Sequence, residues 1–254
     1  MEEKKTLISI ITVSLNSVKT IEKTILSVLN QTYKNIEYIV IDGGSTDGTI
    51  DIIKKYDDRI SYWISEKDNG IYDAMNKGTG IAKGAYLNFM NSDDYFINDN
   101  IIYEIIPLIK NSDIIYGDVE VRYKNFKVIK KEPTPKYLWM GPVNHQSSFI
   151  KKETLKKYGY NTNNPIVADF EFFLNVYYHN GKIIKINKTI ASFFNGGISQ
   201  KNDLRVIKDC YNTLIKFKKN ILFKIYYKIL EIKPMLKKLL PYSVFKFIIV
   251  KTSN

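Results

Sequence analysis

The chain has 254 residues, and its apolar and charged fractions (44% and 25%) exclude disordered and collagen-like classes while allowing one α/β domain with an appendage. Net charge is +12, but residues 201–254 hold 13 Lys/Arg against three acids and the first 200 residues are nearly neutral. An anionic partner is therefore expected of the C-terminal segment alone, and the single cysteine, Cys210, excludes an intrachain disulfide or a cysteine-based zinc site.

In chain order, Leu7–Val13 is an isoleucine-rich run that predicts a buried strand. Ile21, Ile25, Val28 and Leu29 share one helical face. Ile36–Ile41 predicts a second strand ending at Asp42, and Gly43–Gly48 makes a turn into a helix through Ile53. Ile60–Ile64 reads as a third strand, Ile71–Ala82 as a helix, Ala85–Met90 as a fourth strand, and Ile101, Ile102, Ile105 and Ile106 mark another helix. Strand–helix alternation at this spacing implies a mostly parallel sheet with helices on both faces, and ligands in such sheets bind beyond the carboxyl ends of the strands. Ser14-Leu15-Asn16, Asp42 and Asn91-Ser92-Asp93-Asp94 close three of those strands and are expected to meet at one rim.

From Asp113 the rhythm changes. Asp113–Val121 and Phe126–Ile129 resemble a hairpin, Pro133, Pro135 and Pro142 interrupt the next stretch, His145–Ile150 predicts a strand, and a helix opens near Asp169. The remainder is helical and basic, with breaks expected at Pro234 and Pro241.

Adjacent acids at the end of a strand, as at Asp93-Asp94, suit either a hard cation shared with phosphates or a solvated turn with a helix cap. Asp42 and its two following glycines allow a close backbone approach to a ligand, or an ordinary capped turn. No GxxxxGK[ST] loop exists, and Ser14–Ser17 lacks the glycines of a dinucleotide fold, so nicotinamide and flavin chemistry is not expected. Two distant histidines, His145 and His179, give no zinc-protease pattern.

Taken together, Ile11–Asn16, Val40–Thr49, Asp68–Gly78, Asn91–Asp94, His145-Gln146, Ala168–Glu171 and Gly196–Ser199 resemble, in order, the motifs of family 2 glycosyltransferases over about residues 6–200. The resemblance implies a GT-A fold, a nucleotide-diphospho-sugar donor with a lean to uridine, Mn2+ or Mg2+, and inversion at the anomeric carbon. It places Thr12, Val13, Asn16, Asp42, Gly44, Ser45, Asn91, Ser92 and Asp93 about the donor, with Asp42 on the base; Asp68, Tyr72 and Asn76, in the loop and first turns of the third helix, suit either donor contact or a polar helix start capped by Asp68. It puts Asp93 and Asp94 on the metal and Asp169 as catalytic base; His145 and Gln146 suit either the acceptor side or a structural place. Asn91 stands where many relatives have Asp, and Ala168 where Glu is frequent. The Gln-x-x-Arg-Trp signature of processive synthases is absent, which predicts single-sugar addition to a glycan or lipid-linked acceptor, in polysaccharide or cell-envelope synthesis.

Residues 1–200 are thus expected to form the transferase unit and 201–254 a basic amphipathic segment. In that segment Ile221, Leu222, Ile225, Ile229 and Ile232 share a face, with Lys219, Lys224, Lys228 and Lys233 elsewhere. It reads as a helix for an anionic membrane surface or as one packed on its own domain; no nucleic-acid module accompanies the charge. With no signal-peptide pattern and no apolar run of spanning length, the expected location is the cytoplasm, peripheral on the inner face of the membrane. A nucleotidyltransferase and a non-enzymatic membrane-associated binding protein are the alternatives.

Overall fold

The computed structural model describes residues 6–109, 111–196 and 203–239. Its first half alternates β1 (Ile8–Ser14), α1 (Ile21–Leu29), β2 (Ile36–Asp42), α2 (Thr49–Lys54), β3 (Tyr62–Ser65), α3 (Ile71–Ile81) and β4 (Tyr86–Phe89). β1 pairs in parallel with β2 and with β4, and β2 pairs in parallel with β3. Each helix carries the chain back so that the next strand runs in the same direction.

Strand periodicity divides the core. Ile8 and Ile10 of β1 pack with Ile21, Ile25 and Val28 of α1, as do Tyr38 and Val40 of β2. The alternate residues Ile11, Val13, Ile39 and Ile41 pack on the other face with Tyr72, Ala74 and Met75 of α3. Helices on both faces explain why every residue of β1 is buried.

The second half adds β5 (Tyr95–Phe96), α4 (Ile101–Ile105), β6 (Ile114–Arg122), β7 (Lys127–Lys130), β8 (Ser148–Lys151), α5 (Lys152–Tyr158), α6 (Ala168–Tyr178), β9 (Ile183–Phe194), α7 (Asp203–Phe217) and α8 (Ile221–Leu239). Strand order is β3-β2-β1-β4-β8-β6-β9-β5, with β7 on β6. β8 runs antiparallel to β4 and β6, and β9 runs parallel to β6 but antiparallel to β5. The sheet is therefore mixed rather than mostly parallel. Its parallel half is the part whose strands are joined by crossover helices.

Three expectations change. His145–Ser147 forms a 3-10 turn, and the strand begins only at Ser148. The long β9 has no counterpart in the sequence reading, because Lys185, Asn187 and Lys188 interrupt its apolar alternation. α8 continues through position 234, where proline removes one backbone donor and leaves the neighbouring turns bonded. Pro241 lies outside the described residues. α7 and α8 pack on α6, where Val167, Phe170 and Leu174 meet Cys210, Leu214, Phe223 and Tyr227.

Gly84, just before β4, sets the approach of β4 to β1. A Cβ there would lie 2.5 Å from the Ser9 amide nitrogen and 2.6 Å from its Oγ. Gly84→Ala is expected to destabilise the fold by about 1–3 kcal/mol, the cost of overpacking a tight core contact. Urea unfolding of the variant beside wild type measures it.

Candidate active site

The loops after β1, β2 and β4 converge and are stitched together. The Asn16 amide donates to Ser45 Oγ (2.7 Å), and Asn16 Oδ1 accepts from the Thr46 amide (3.0 Å). Asn16 sits at φ +49°, a left-handed conformation that asparagine tolerates better than most residues. The Ser17 amide donates to Thr49 Oγ1 (2.8 Å), and Ser17 Oγ lies 2.7 Å from Ser92 Oγ. The predicted meeting of three strand ends at one rim is thus present.

Asp42 lies inside that rim rather than on it. It is fully buried, and its carboxylate accepts from the amides of Gly44 (3.1 Å) and Ser45 (2.8 Å) and from the hydroxyls of Ser45 (2.5 Å) and Ser65 (2.7 Å). Gly44, at φ +86°, gives the turn that aims those amides inward. Asp68 lies over the neighbouring glycine instead: a Cβ at Gly43 would lie 2.6 Å from Asp68 Oδ2. Asp68 is partly exposed, and its Oδ1 accepts from the Gly70 amide (2.8 Å).

The acidic turn divides its two carboxylates between interior and rim. Asp94 is 1% exposed; its Oδ2 accepts from Gln146 Nε2 (2.7 Å), its Oδ1 from the Phe194 amide (3.0 Å), and Arg122 Nη2 lies 3.8 Å away. Arg122 also donates to the Asp93 carbonyl and shares the Tyr95 ring with Lys23. The Asp93 side chain has no hydrogen bond to another residue among the described ones. Burial, and then the neighbouring Asp93 charge, pushes the Asp94 carboxyl up, and burial does the same to Asp93 against the pull of Arg122. Two adjacent acids with so little compensating charge form a site short of positive charge. That deficit fits a hard divalent cation, held at Asp93 with Asp94 bracing the turn. No group of three or more His, Cys, Asp or Glu converges among the described residues, so protein carboxylates alone do not complete a coordination shell there.

Asp169 stands in the first turn of α6, where the helix dipole favours a carboxylate. Its Oδ1 accepts from the Phe170 amide (2.8 Å), and its Oδ2 lies 3.2 Å from His145 Nδ1. The other ring nitrogen, Nε2, lies 3.0 Å from Asn91 Nδ2. An amide N–H at Nε2 makes that nitrogen the acceptor, so Nδ1 carries the proton and donates it to Asp169. A hydrogen-bonded line thus runs from the acidic turn through His145 to Asp169. Asn91 Oδ1 and the Tyr160 hydroxyl are buried beside this line without partners among the described residues. Burial, followed by the Asp169 charge, pushes the phenols of Tyr72 and Tyr160 well up, so both remain neutral beside it.

Some expected residues do not reach the rim. The Thr12 hydroxyl lies 3.0 Å from the Tyr38 hydroxyl in the core, and the Val13 side chain packs under α3. Asn76 turns to the backbone of Tyr160, donating to its carbonyl (2.8 Å) and accepting from its amide (3.0 Å). Gln146 is spent on Asp94. Of the Gly196–Ser199 motif, all but Gly196 lies outside the described residues. Arg122 and Tyr160 were not anticipated; one signal for Arg122 was that it is one of three arginines in a lysine-rich chain.

Asp42→Ala strands two amides and the Ser45 hydroxyl in the β2–α2 turn, and the Ser65 hydroxyl of β3. It is expected to lower stability by at least about 3 kcal/mol, an effect read by thermal unfolding without any ligand.

Residues 9–181 match the family model described as Glycosyl transferase family 2. Among curated proteins, a PGL/p-HBAD biosynthesis glycosyltransferase of Mycobacterium bovis is 28% identical over 200 residues, covering 75% of this chain and 78% of that protein. Among solved structures, S. aureus TarS 1–349 in complex with UDP-GlcNAc aligns at TM-score 0.66 and 17% identity, covering 89% of this chain and 70% of that one. A longer TarS chain is spanned over 40% of its length. The mannosyltransferase PcManGT from Pyrobaculum calidifontis, in complex with GDP-Man and Mn2+, aligns at TM-score 0.67 and 15% identity, covering 89% and 69%. Likeness at these identities is likeness of fold.

Proposed function

The chain belongs to glycosyl transferase family 2 and is a glycosyltransferase with the GT-A fold, and from that premise we propose that it inverts at the anomeric carbon while moving one sugar from a nucleotide-diphospho-sugar to a hydroxyl of a glycan or lipid-linked acceptor. The observation that carries this reading is the line Asn91–His145–Asp169, which ties an acid suited to deprotonating an acceptor to the turn suited to a diphosphate. The non-enzymatic alternative falls with the family assignment.

Asp169 acts as general base. It accepts the acceptor hydroxyl proton as that oxygen bonds to the anomeric carbon and the bond from that carbon to the diphosphate oxygen breaks. One displacement inverts the centre. His145 keeps one Asp169 oxygen engaged and the carboxylate oriented, and is a positioning residue. Mn2+ or Mg2+, when bound at Asp93, supplies positive charge for the leaving diphosphate, and Asp94 holds the turn in place. Asn16, Gly44, Ser45, Asn91 and Ser92 shape the donor side, with Tyr72 beneath Asp169. TarS in complex with UDP-GlcNAc supports a UDP-sugar donor, and the Mn2+ of PcManGT supports a divalent ion.

The base of the nucleotide is read by Asp68 rather than Asp42. Asp42 has both oxygens committed to its own turn, whereas the Asp68 carboxylate fills the space left open by Gly43. Uracil presents an N–H that such a carboxylate accepts.

Asp169→Asn is expected to bind UDP and donor within about threefold of wild type while transfer falls roughly 10²–10⁴-fold. Calorimetry and a UDP-release assay separate the two, and normal transfer by the variant would sink the base assignment. Mn2+ is expected to tighten UDP binding to wild type but not to Asp93→Ala. Asp68→Ala should weaken UDP without altering the melting temperature, in contrast to Asp42→Ala. An Asp68 variant with wild-type UDP affinity contradicts the base reading.

A further inference from the structure

α8 is apolar on two sides. Its inner face buries Phe223 and Tyr227 in the cluster with α6 and α7, and Tyr226 and Leu230 pack against that cluster. Its outer face carries Ile221, Leu222, Ile225 and Ile229, which are 52–67% exposed. At about 100° per residue these four span only about 100° of helix surface, one continuous stripe. A contiguous exposed aliphatic stripe marks an interaction surface.

Charge identifies the partner. Lys218 and Lys219 stand at the head of the helix and Lys224 and Lys228 along its flank, all exposed. The acids nearby are few: Glu231, which pairs with Lys228 (2.9 Å), and Asp209, which pairs with Arg205 (3.6 Å). Protein-binding surfaces are enriched in aromatic residues and arginine and depleted of lysine, whereas this stripe is wholly Ile and Leu with lysine borders. Lysine stems lie along apolar surface while their ammonium groups reach outward to phosphate. A second copy of the same face would bring like charges together. No helix among the described residues is long and apolar enough to cross a membrane, so the stripe suits lying on a surface.

We propose that the outer face of α8 docks on an anionic lipid bilayer and turns the acceptor edge of the site toward it. The link to that edge is direct. The Tyr226 hydroxyl donates to the Met140 carbonyl (3.2 Å) and that of Tyr227 to the Trp139 carbonyl (3.0 Å). Trp139 also stacks on Phe223, with centroids 4.9 Å apart. The 3-10 turn Pro135–Met140 leads to His145, which holds Asp169. Docking α8 therefore orients the loop beside the base, which suits an acceptor presented from the bilayer. The docking step goes beyond the proposed transfer and stands without it, while the presentation of an acceptor from the bilayer rests on it.

The test is flotation of the full chain with phosphatidylcholine vesicles, with and without phosphatidylglycerol, in low and high salt and without donor or acceptor. Wild type is expected to float with the anionic vesicles and to be released by salt, since each lysine near the surface contributes attraction that salt screens. The variant with Ser at positions 221, 222, 225 and 229 is expected to lose binding by about tenfold or more, and Lys224→Glu with Lys228→Glu likewise, both with wild-type melting temperature. The proposal is overturned if wild type stays with the soluble fraction, or if the serine variant floats like wild type. It is also overturned if the stripe instead holds two copies together, seen as a dimer in light scattering that the serine variant converts to monomer.

Discussion

The buried carboxylate of Asp94 is the interaction on which the site's assembly depends. It sits beyond the end of β4, yet its partners come from three later segments: Gln146 before β8, the Phe194 amide at the end of β9 and Arg122 at the end of β6. An enclosed carboxylate is costly unless its oxygens are engaged, and removing one partner of such a set costs about 3–5 kcal/mol. The parallel half of the sheet therefore cannot finish its acidic turn alone. The antiparallel half must be folded on it, which makes the rim and the Asp169 side one cooperative unit.

His145 and Gln146 show how two consecutive residues divide that task. A 3-10 turn points their side chains differently, so Gln146 reaches Asp94 while His145 reaches Asp169 and Asn91. An ordinary strand would have sent them to opposite faces of the sheet. The turn instead keeps both on the site, and the same short segment fixes the acidic turn and the acid on α6. Asn88, donating to the carbonyls of Gln146 and Ser148 (2.9 Å each), anchors this segment to β4 from below.

Much of this was legible in the sequence, and the rest was hidden for definable reasons. Strands β1, β2 and β4 announced themselves because they are buried in the sheet and leave mainly apolar runs. The rim followed from chain direction. β9 stayed hidden because its polar positions break the alternation, and the mixed sheet with it. The motif residues were legible as a set, but not the direction each side chain faces. Thr12 and Asp42 look like rim residues in sequence, yet one bonds Tyr38 and the other its own loop. Asp68 and Arg122 gain their places only from contacts across the fold, 25 to 29 residues from Gly43 and Asp93 in sequence.

Asn91 then acquires a meaning that its resemblance to an acidic motif conceals. With aspartate at this position, His145 would lie between two carboxylates, and a third acid would join a turn already short of positive charge. The amide changes this. Its N–H faces Nε2, which leaves Nδ1–H directed at Asp169. The acids of the turn are thereby Asp93 and Asp94 alone, where Arg122 faces them, and Asp169 stands apart across His145. Asp169 is held by two donors, the Phe170 amide at Oδ1 and the His145 Nδ1–H at Oδ2. The substitution that removes a carboxylate from the motif thus separates the two halves of the chemistry while keeping them hydrogen-bonded.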